Sequence, residues 1–359
     1  MKTNENQKAP YPYEKWHGKP YYSLDAYCKN TYGEKLYKTA LNAGLTCPNR
    51  DGTLGNRGCI FCSAGGSGDF ASAITAGTGD AGESSLLSSA IAGSSDASGF
   101  KNAYQESRKA LSNKKAGRKF IAYFQAYTNT YGPVPYLEKL YRLALEEPTV
   151  AGISIATRPD CLPPEIMALL CRLKEEYAPK FIWLELGLQT IYEDSAAFIR
   201  RGYSLSCFEE AVLSLHEAGF PVITHMILGL PGEDKDKILS SMDYLNKQPV
   251  WGIKLQLLHI LKGTDLGVLY EKEPDKYSSF PSLLLYLDTL ISCLERLRPD
   301  MVIHRVTGDA PKRLLLAPLW SANKRLVLNT LHREMNIQGS FQGRNFIKEV
   351  THARPFNSL

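Results

Sequence analysis

Three cysteines stand close together in the run CPNRDGTLGNRGCIFC, Cys47 to Cys62. Eleven residues separate Cys47 from Cys59, and two separate Cys59 from Cys62. A CxxC pair presents two sulfurs to one ion or one cluster face. Thiolates are soft ligands, suited to zinc or to iron–sulfur clusters. Pro48, Gly52, Gly55 and Gly58 permit the tight backbone path that wraps such a group. A structural zinc site takes four ligands, and an ordinary four-iron cluster takes four cysteines. This loop supplies three. A four-iron cluster on three thiolates keeps one iron open. An open iron can chelate the amino and carboxylate groups of S-adenosylmethionine (SAM) and pass it an electron, which yields a 5′-deoxyadenosyl radical. The same spacing also fits a zinc knuckle completed by Cys28, His17 or a more distant residue.

The rest of the composition frames these options. Of 359 residues, 44% are hydrophobic, enough for a sizeable core. The N-terminal stretch is polar and lacks the apolar centre of a signal peptide, and no apolar run is long enough to span a bilayer. A cytoplasmic protein with no membrane partner is the expectation. Thiols stay reduced there, so eight cysteines imply cluster, metal or catalytic roles for some and packing for the others. The formal net charge of +5 is compatible with a nucleic-acid partner and with an ordinary solvated surface alike.

The elements that must position the thiols follow from periodicity. Residues 1–20 read as a poorly ordered tail, and 72–99 as a low-complexity Ala/Gly/Ser insertion. Strands are expected at 120–127, 150–157, 181–189, 221–230, 251–261 and 301–306. Helices are expected at 133–147, 163–178, around 192–199 and 206–218, at 234–247 and at 282–297. Strands alternating with helices imply parallel pairing and right-handed crossovers. An open doubly wound sheet and a full or partial βα barrel both fit. In either, chemistry gathers at the C-terminal ends of the strands. The residues at or near those ends are Gln125, Tyr127, Thr128 and Asn129, then Thr157, Arg158 and Asp160, then Glu185, Gln189 and Thr190. His225 lies within the next strand, and His259 and Lys262 close the one after.

Other features have plainer readings. Cys171, Cys207 and Cys293 fall in helices and read as packing residues. Cys161, at a strand end, and Cys28, ahead of the loop, have weaker claims on a site. The run LGLPGE at 228–233 lacks the GK[ST] of a phosphate loop and reads as a strand-to-helix turn. Beyond Ala310, basic residues interleave with aromatics, as suits RNA or a solvated helical face.

In this order and spacing the chain resembles the YhcC/YtqA-type radical SAM proteins, which are related to the elongator catalytic subunit. The stretches that carry the resemblance are YYSLDAYCKNTYGEKLYKTALNAGLTCPNRDGT, GCIFC, FIAYFQAYTNTYGP, ISIATRPDCL, LELGLQT, IRRGYS, HMILGLPGED, LLHILKGT, VIHRVTGDAP and LAPLW. The resemblance implies an α/β fold, a partial six-stranded TIM-like βα barrel over 21–310 with a helical extension over 311–359. It implies a 4Fe-4S cluster on Cys47, Cys59 and Cys62, with SAM bound at the strand ends. Arg158, Glu185, Gln189, Arg201 and His225 are the SAM-site candidates carried over by position. The usual GGE-like motif is replaced by QAYTNTY, so Gln125, Tyr127 and Asn129 stand in for it. The implied function is a radical SAM enzyme acting on tRNA, on the carboxymethylaminomethyl side chain of a wobble uridine, with a reductant such as flavodoxin or ferredoxin. Radical chemistry on a small metabolite and a zinc-stabilised RNA-binding module without catalysis are the alternatives.

Overall fold

Runs such as FIAYF and VAGISIAT are apolar on both faces, which suits strands covered on both sides. A computed structural model describes residues 13–74, 97–111 and 117–347 and places these runs in a parallel sheet. The chain divides into two units. One, the cysteine unit, comprises Glu34–His225 and Gly263–Leu266. The other, the C-terminal unit, takes the N-terminal segment to Gly33, Met226–Lys262 and Gly267 onward.

The cysteine unit contains β1 (Tyr37–Asn42), β2 (Ser72–Ala73), α2 (Ala97–Lys109), β3 (Phe120–Phe124), α3 (Val134–Glu146), β4 (Val150–Thr157), α4 (Pro164–Glu176), β5 (Phe181–Gln189), α5 (Glu193–Phe198), α6 (Leu205–Glu217) and the first half of β6 (Val222–Leu228). The order is β2-β1-β3-β4-β5, and β1 through β5 pair in parallel. At the β5 edge the Leu184 N–H donates to the Pro221 carbonyl, 3.1 Å, at the entry to β6. Apart from the short β2, strand order follows chain order. A doubly wound sheet would reverse direction at a switch point, so within this unit the sheet is singly wound, as in a βα barrel. All five residues of β3 are buried, and helix starts carry prolines that need no donor there.

The C-terminal unit contains α1 (Leu24–Tyr32), the end of β6, α7 (Lys235–Lys247), β7 (Gly252–Leu257), β8 (Ile260–Leu261), α8 (Asp265–Lys272, whose first residues belong to the cysteine unit), α9 (Pro274–Tyr277), α10 (Leu283–Arg296), β9 (Val302–Arg305), β10 (Leu315–Ala317) and α11 (Lys324–Ile337). β7 pairs in parallel with β9, and β8 pairs antiparallel with β10. The strand expected over 251–261 is thus two strands. The turn after β6 uses positive φ at Gly229 and Gly232, and Asp234 caps α7 by accepting from the Lys237 N–H.

Two boundaries differ from expectation. Residues 13–20 are not a loose tail. Trp16 is fully buried, and the Ile303 N–H bonds the Tyr22 carbonyl at 2.8 Å. The Asn30 amide donates to the Lys15 carbonyl and the Gln342 N–H to the Pro20 carbonyl, each at 2.8 Å, ties that composition alone does not reveal. The low-complexity stretch begins and ends in defined structure. Leu41 pairs with Ser72, and Phe100 and Tyr104 of α2 stack and are buried. Residues 75–96 lie outside the described residues, as do 1–12 and 348–359.

Candidate functional site

The three thiols sit on the loop that leaves β1. Its backbone turns on itself. The Cys47 carbonyl accepts from the Arg50 and Asp51 N–H groups, 2.7 and 3.2 Å, and the Pro48 carbonyl accepts from Leu54, 2.8 Å. The Gly58 N–H donates to Asn49, 2.7 Å, and the Cys62 N–H to the Cys59 carbonyl, 3.0 Å. Gly58 has φ +71°, and a Cβ there would meet the Arg50 guanidinium at 2.9 Å. That guanidinium crosses the loop and donates to the carbonyls of Cys62 and Ser63, 3.3 and 2.7 Å.

Distant residues hold the loop from outside. Asn49 Nδ2 donates to Cys59 Sγ at 3.4 Å and to the Arg200 carbonyl at 2.7 Å. Cys59 Sγ lies 3.5 Å from that same carbonyl. Arg158 Nη1 reaches Cys47 Sγ at 3.9 Å. The Ile60 N–H bonds the Ile199 carbonyl, and the Ile60 carbonyl accepts from Leu266. All three cysteines are part-exposed. A hydrogen bond from Cys59 pulls the Cys62 thiol below its ordinary value, helped by Arg50, and the same bond with burial pushes Cys59 up. The two thiols share one hydrogen bond, and a metal binding them would displace their protons. The donor set suits a cluster: three thiols, with Asn49 donating to one sulfur and Arg158 reaching another. Among the described residues no three His, Cys, Asp or Glu groups form a site for a single metal ion.

The strand-end residues fall into three groups. Gln125 and Tyr127 support the glycine-rich segment after Cys62. Gln125 Nε2 donates to the Ser67 carbonyl, 2.6 Å, and the Tyr127 hydroxyl to Ala64, 2.5 Å. Tyr127 has φ +59°, and a Cβ on Gly66 would strike its ring at 2.2 Å. Asn129 is fully buried and its amide ties the carbonyls of Phe124, Ala126 and Ala156.

The second group surrounds Tyr203, whose ring lies between two guanidinium groups at 4.8 Å (Arg158) and 5.1 Å (Arg201). Arg158 is bidentate to Asp160, 2.8 and 2.6 Å, and also donates to the Arg201 carbonyl. Arg201 is 1% exposed, and its five donors meet the carbonyls of Tyr203, Leu188 and Thr190 and both carboxylate oxygens of Glu193. The Tyr203 hydroxyl lies 3.0 Å from Gln189 Oε1, and Gln189 has φ +63°. Arg158 and Arg201 therefore brace the rim with the forks that sequence position offered to SAM.

The third group lies inside the sheet. Glu185 on β5 is fully buried. Its Oε1 is ion-paired to Lys38 of β1 and accepts from Ser154 of β4 at 2.5 Å. Its Oε2 lies 2.7 Å from His225 Nε2 on β6. The Lys38 ammonium rests 4.6 Å over the Tyr123 ring and 6.0 Å from Trp183. Sequence reasoning named Glu185 and His225 but missed Lys38, as it missed Asn49, Arg50 and Tyr203. The available signal for Lys38 was a charge inside a strand whose neighbours are apolar.

A cavity of about 590 Å³ opens beside the loop, lined mainly by Leu45, Pro48, Leu54, Tyr131, Val134 and Ile166. Of the strand-end residues Asp160 and Cys161 line it, whereas Glu185, Gln189 and His225 do not. Cys161 and Cys293 are buried with raised thiols, Cys28 is buried, and Cys171 and Cys207 are half-buried.

Known proteins show the same arrangement of sequence. The pattern of the radical SAM superfamily matches residues 52–245, and that of the radical SAM C-terminal domain residues 250–336. The chain belongs to the radical SAM superfamily. The Bacillus subtilis (strain 168) protein YtqA is 38% identical over 340 residues, 95% of this chain and 97% of that one. Elongator complex protein 3 of Drosophila melanogaster is 29% identical over 178 residues, 48% of this chain and 30% of its own length. The archaeal Methanocaldococcus infernus Elp3 with an N-terminal deletion shares the fold, with a TM-score of 0.55 at 14% identity over 68% of this chain and 59% of that one. Radical SAM enzymes use a 4Fe-4S cluster and SAM, and the α/β fold here is of that type. Among the described residues, no helix is long and apolar enough to cross a membrane.

Proposed function

We propose that this radical SAM enzyme holds its cluster on Cys47, Cys59 and Cys62 and acts on tRNA, maturing the carboxymethylaminomethyl side chain of a wobble uridine. The observation that carries the substrate class is the sequence kinship to Elongator complex protein 3, which joins the near full-length match to YtqA. When bound, the cluster supplies one electron and SAM supplies the radical that abstracts a substrate hydrogen. The protein's part is placement. Asn49 and Arg158 steady two of the sulfurs by hydrogen bonds, which orient ligands and tune the metal. Gln125 and Tyr127 hold the backbone after Cys62. Arg201 and Asn129 keep the rim rigid. Glu185 and His225 form a fixed polar pair inside the sheet, with Lys38 neutralising the carboxylate. Gln189 sits at the rim beside them as a contact for SAM. A cytoplasmic flavodoxin or ferredoxin is the expected reductant.

Nucleoside mass spectrometry of tRNA from a deletion strain tests the substrate. Loss of the mature wobble nucleoside with build-up of its precursor supports the proposal, and an unchanged uridine profile overturns it.

A further inference from the structure

The charge of this chain is unevenly placed. Residues 302–333 contain six basic residues, Arg305, Lys312, Arg313, Lys324, Arg325 and Arg333, and one acid, Asp309. The other 36 basic and 36 acidic residues of the chain cancel, so the whole net charge of +5 resides in this segment. The segment starts in β9 and continues past its C-terminal end, the edge where parallel α/β folds bind ligands.

Folding gathers this charge further. The Lys262 N–H donates to the Leu314 carbonyl at 2.7 Å, which brings Lys262 beside Lys312 and Arg313. Asp309 pairs with Lys324 at 2.5 Å and lies 3.9 Å from Arg305, so the one carboxylate serves two cations. Arg333 is answered by Glu334. Among the described residues, Lys262, Lys312, Arg313 and Arg325 have no carboxylate partner, and all four are exposed. Surface cations elsewhere on the molecule are often answered: Arg142 by Glu138 and Glu176, Arg296 by Asp243, Arg57 by Asp265. Trp320, part-exposed, lies between Arg313 and Lys324 in sequence, and Leu319 before it is 70% exposed.

Unpaired cations held near one another on a rigid edge repel, and a polyanion relieves the repulsion by releasing its counterions. The Trp320 ring is committed elsewhere, 5.4 Å from that of Tyr286 with its Nε1 donating to the Phe280 carbonyl, so the cations carry the argument. We propose that the edge formed by Lys262, Arg305, Lys312, Arg313, Lys324 and Arg325 is the surface of the C-terminal unit that grips the RNA backbone. It rests on the tRNA reading above and says which residues carry affinity, separately from those that carry chemistry.

The test is binding of a tRNA transcript to the full-length, anaerobically reconstituted protein, followed by fluorescence anisotropy at several salt concentrations. Each phosphate contact contributes roughly 0.7 to 0.9 to the slope of log K against log salt. The K312E/R313E variant should therefore lose on the order of tenfold to a hundredfold in affinity and about two in slope. The variant K101E/K109E on α2 should bind like wild type, and all three proteins should retain equal iron. Equal affinity and slope for K312E/R313E and wild type would overturn this surface while leaving the tRNA reading intact. Equal loss in the α2 variant would overturn it too, since charge anywhere would then suffice. Wild-type protein that binds no tRNA would overturn both. Wild-type flotation with phosphatidylserine vesicles, abolished in K312E/R313E, with no RNA binding, would assign the edge to a membrane surface instead.

Discussion

The cysteine loop and the charged layer inside the sheet are built in opposite ways. The loop collects its three sulfurs within sixteen residues and lets glycine, proline and backbone hydrogen bonds shape them. The layer collects Lys38, Ser154, Glu185 and His225 from four different strands, with Lys38 and Glu185 separated by 147 positions. The loop is part-exposed, and its thiols are the groups proposed to take iron as their partner. The layer is buried and its groups are already one another's partners. Chemistry that needs an inorganic group can be encoded locally, whereas a polar interior can be encoded only by the fold.

The sharpest way to break that contrast is to remove a sulfur. Cys59→Ala should leave the fold intact and bring reductive SAM cleavage to background, with iron and sulfide per chain well below the wild-type value after anaerobic reconstitution. Wild-type iron content in that variant would show that the loop is not the cluster site.

The layer should respond in stability first. Breaking a buried ion pair from one side costs about 3–5 kcal/mol, whereas replacing both partners with apolar groups is often neutral. Lys38→Met and Glu185→Leu should each lower the denaturation midpoint strongly, and K38M/E185L should recover part of the loss, with Ser154 and His225 still deprived of the carboxylate. SAM cleavage should stay impaired in the stable double variant. A double variant that is stable and fully active would reduce the layer to packing.

His259 in the C-terminal unit supplies the opposite case, a half-buried ionisable group whose Nε2 is buried and has no hydrogen-bond partner among the described residues. Burial lowers its pKa to about 4. The unfolded imidazole takes up its proton near 6.5, so folding stability is held above that pH and is lost as pH falls toward 4. The loss should approach about 3 kcal/mol near pH 4, and His259→Asn should remove that part of the pH slope in chemical denaturation. An unchanged slope would mean that the imidazole finds a partner when charged.

The smallest expected effect is at Asn49. Asn49→Ala deletes the donor to Cys59 Sγ and to the Arg200 carbonyl, a loss of about 1–3 kcal/mol. Cluster retention against a chelator should fall about 10-fold to 100-fold, as for other residues that orient metal ligands. Equal retention would make the cysteine loop self-sufficient and sharpen its contrast with the layer.

Legibility in the sequence divides along the same line. The cysteine spacing pointed to a thiolate-held group and left cluster and zinc both open, whereas strands such as Val150–Thr157 and Phe181–Gln189 were readable to the residue because apolar runs end at turn chemistry. Lys38 was not readable as a site residue, since YKTALN is an ordinary strand until its partner across the sheet is known. Arg158 and Arg201 were visible as arginines at strand ends. Their commitment to Asp160 and to backbone carbonyls depends on the path of the loops after β4 and β5. The antiparallel β8–β10 pair joins residues more than fifty apart by two short runs, too brief to leave a period.

The anchors of the cysteine loop have a consequence for the order of events in the life of this chain. Cys59 and Asn49 are held by carbonyls 141 and 151 positions further on. A ribosome that has released only the CPNRDGTLGNRGCIFC run has made the three thiols but not their mount. The mount exists only when the segment around Arg200 has been synthesised and has folded back. On the proposed assignment, iron and sulfide are delivered to a finished scaffold, and until then the three thiols stay part-exposed.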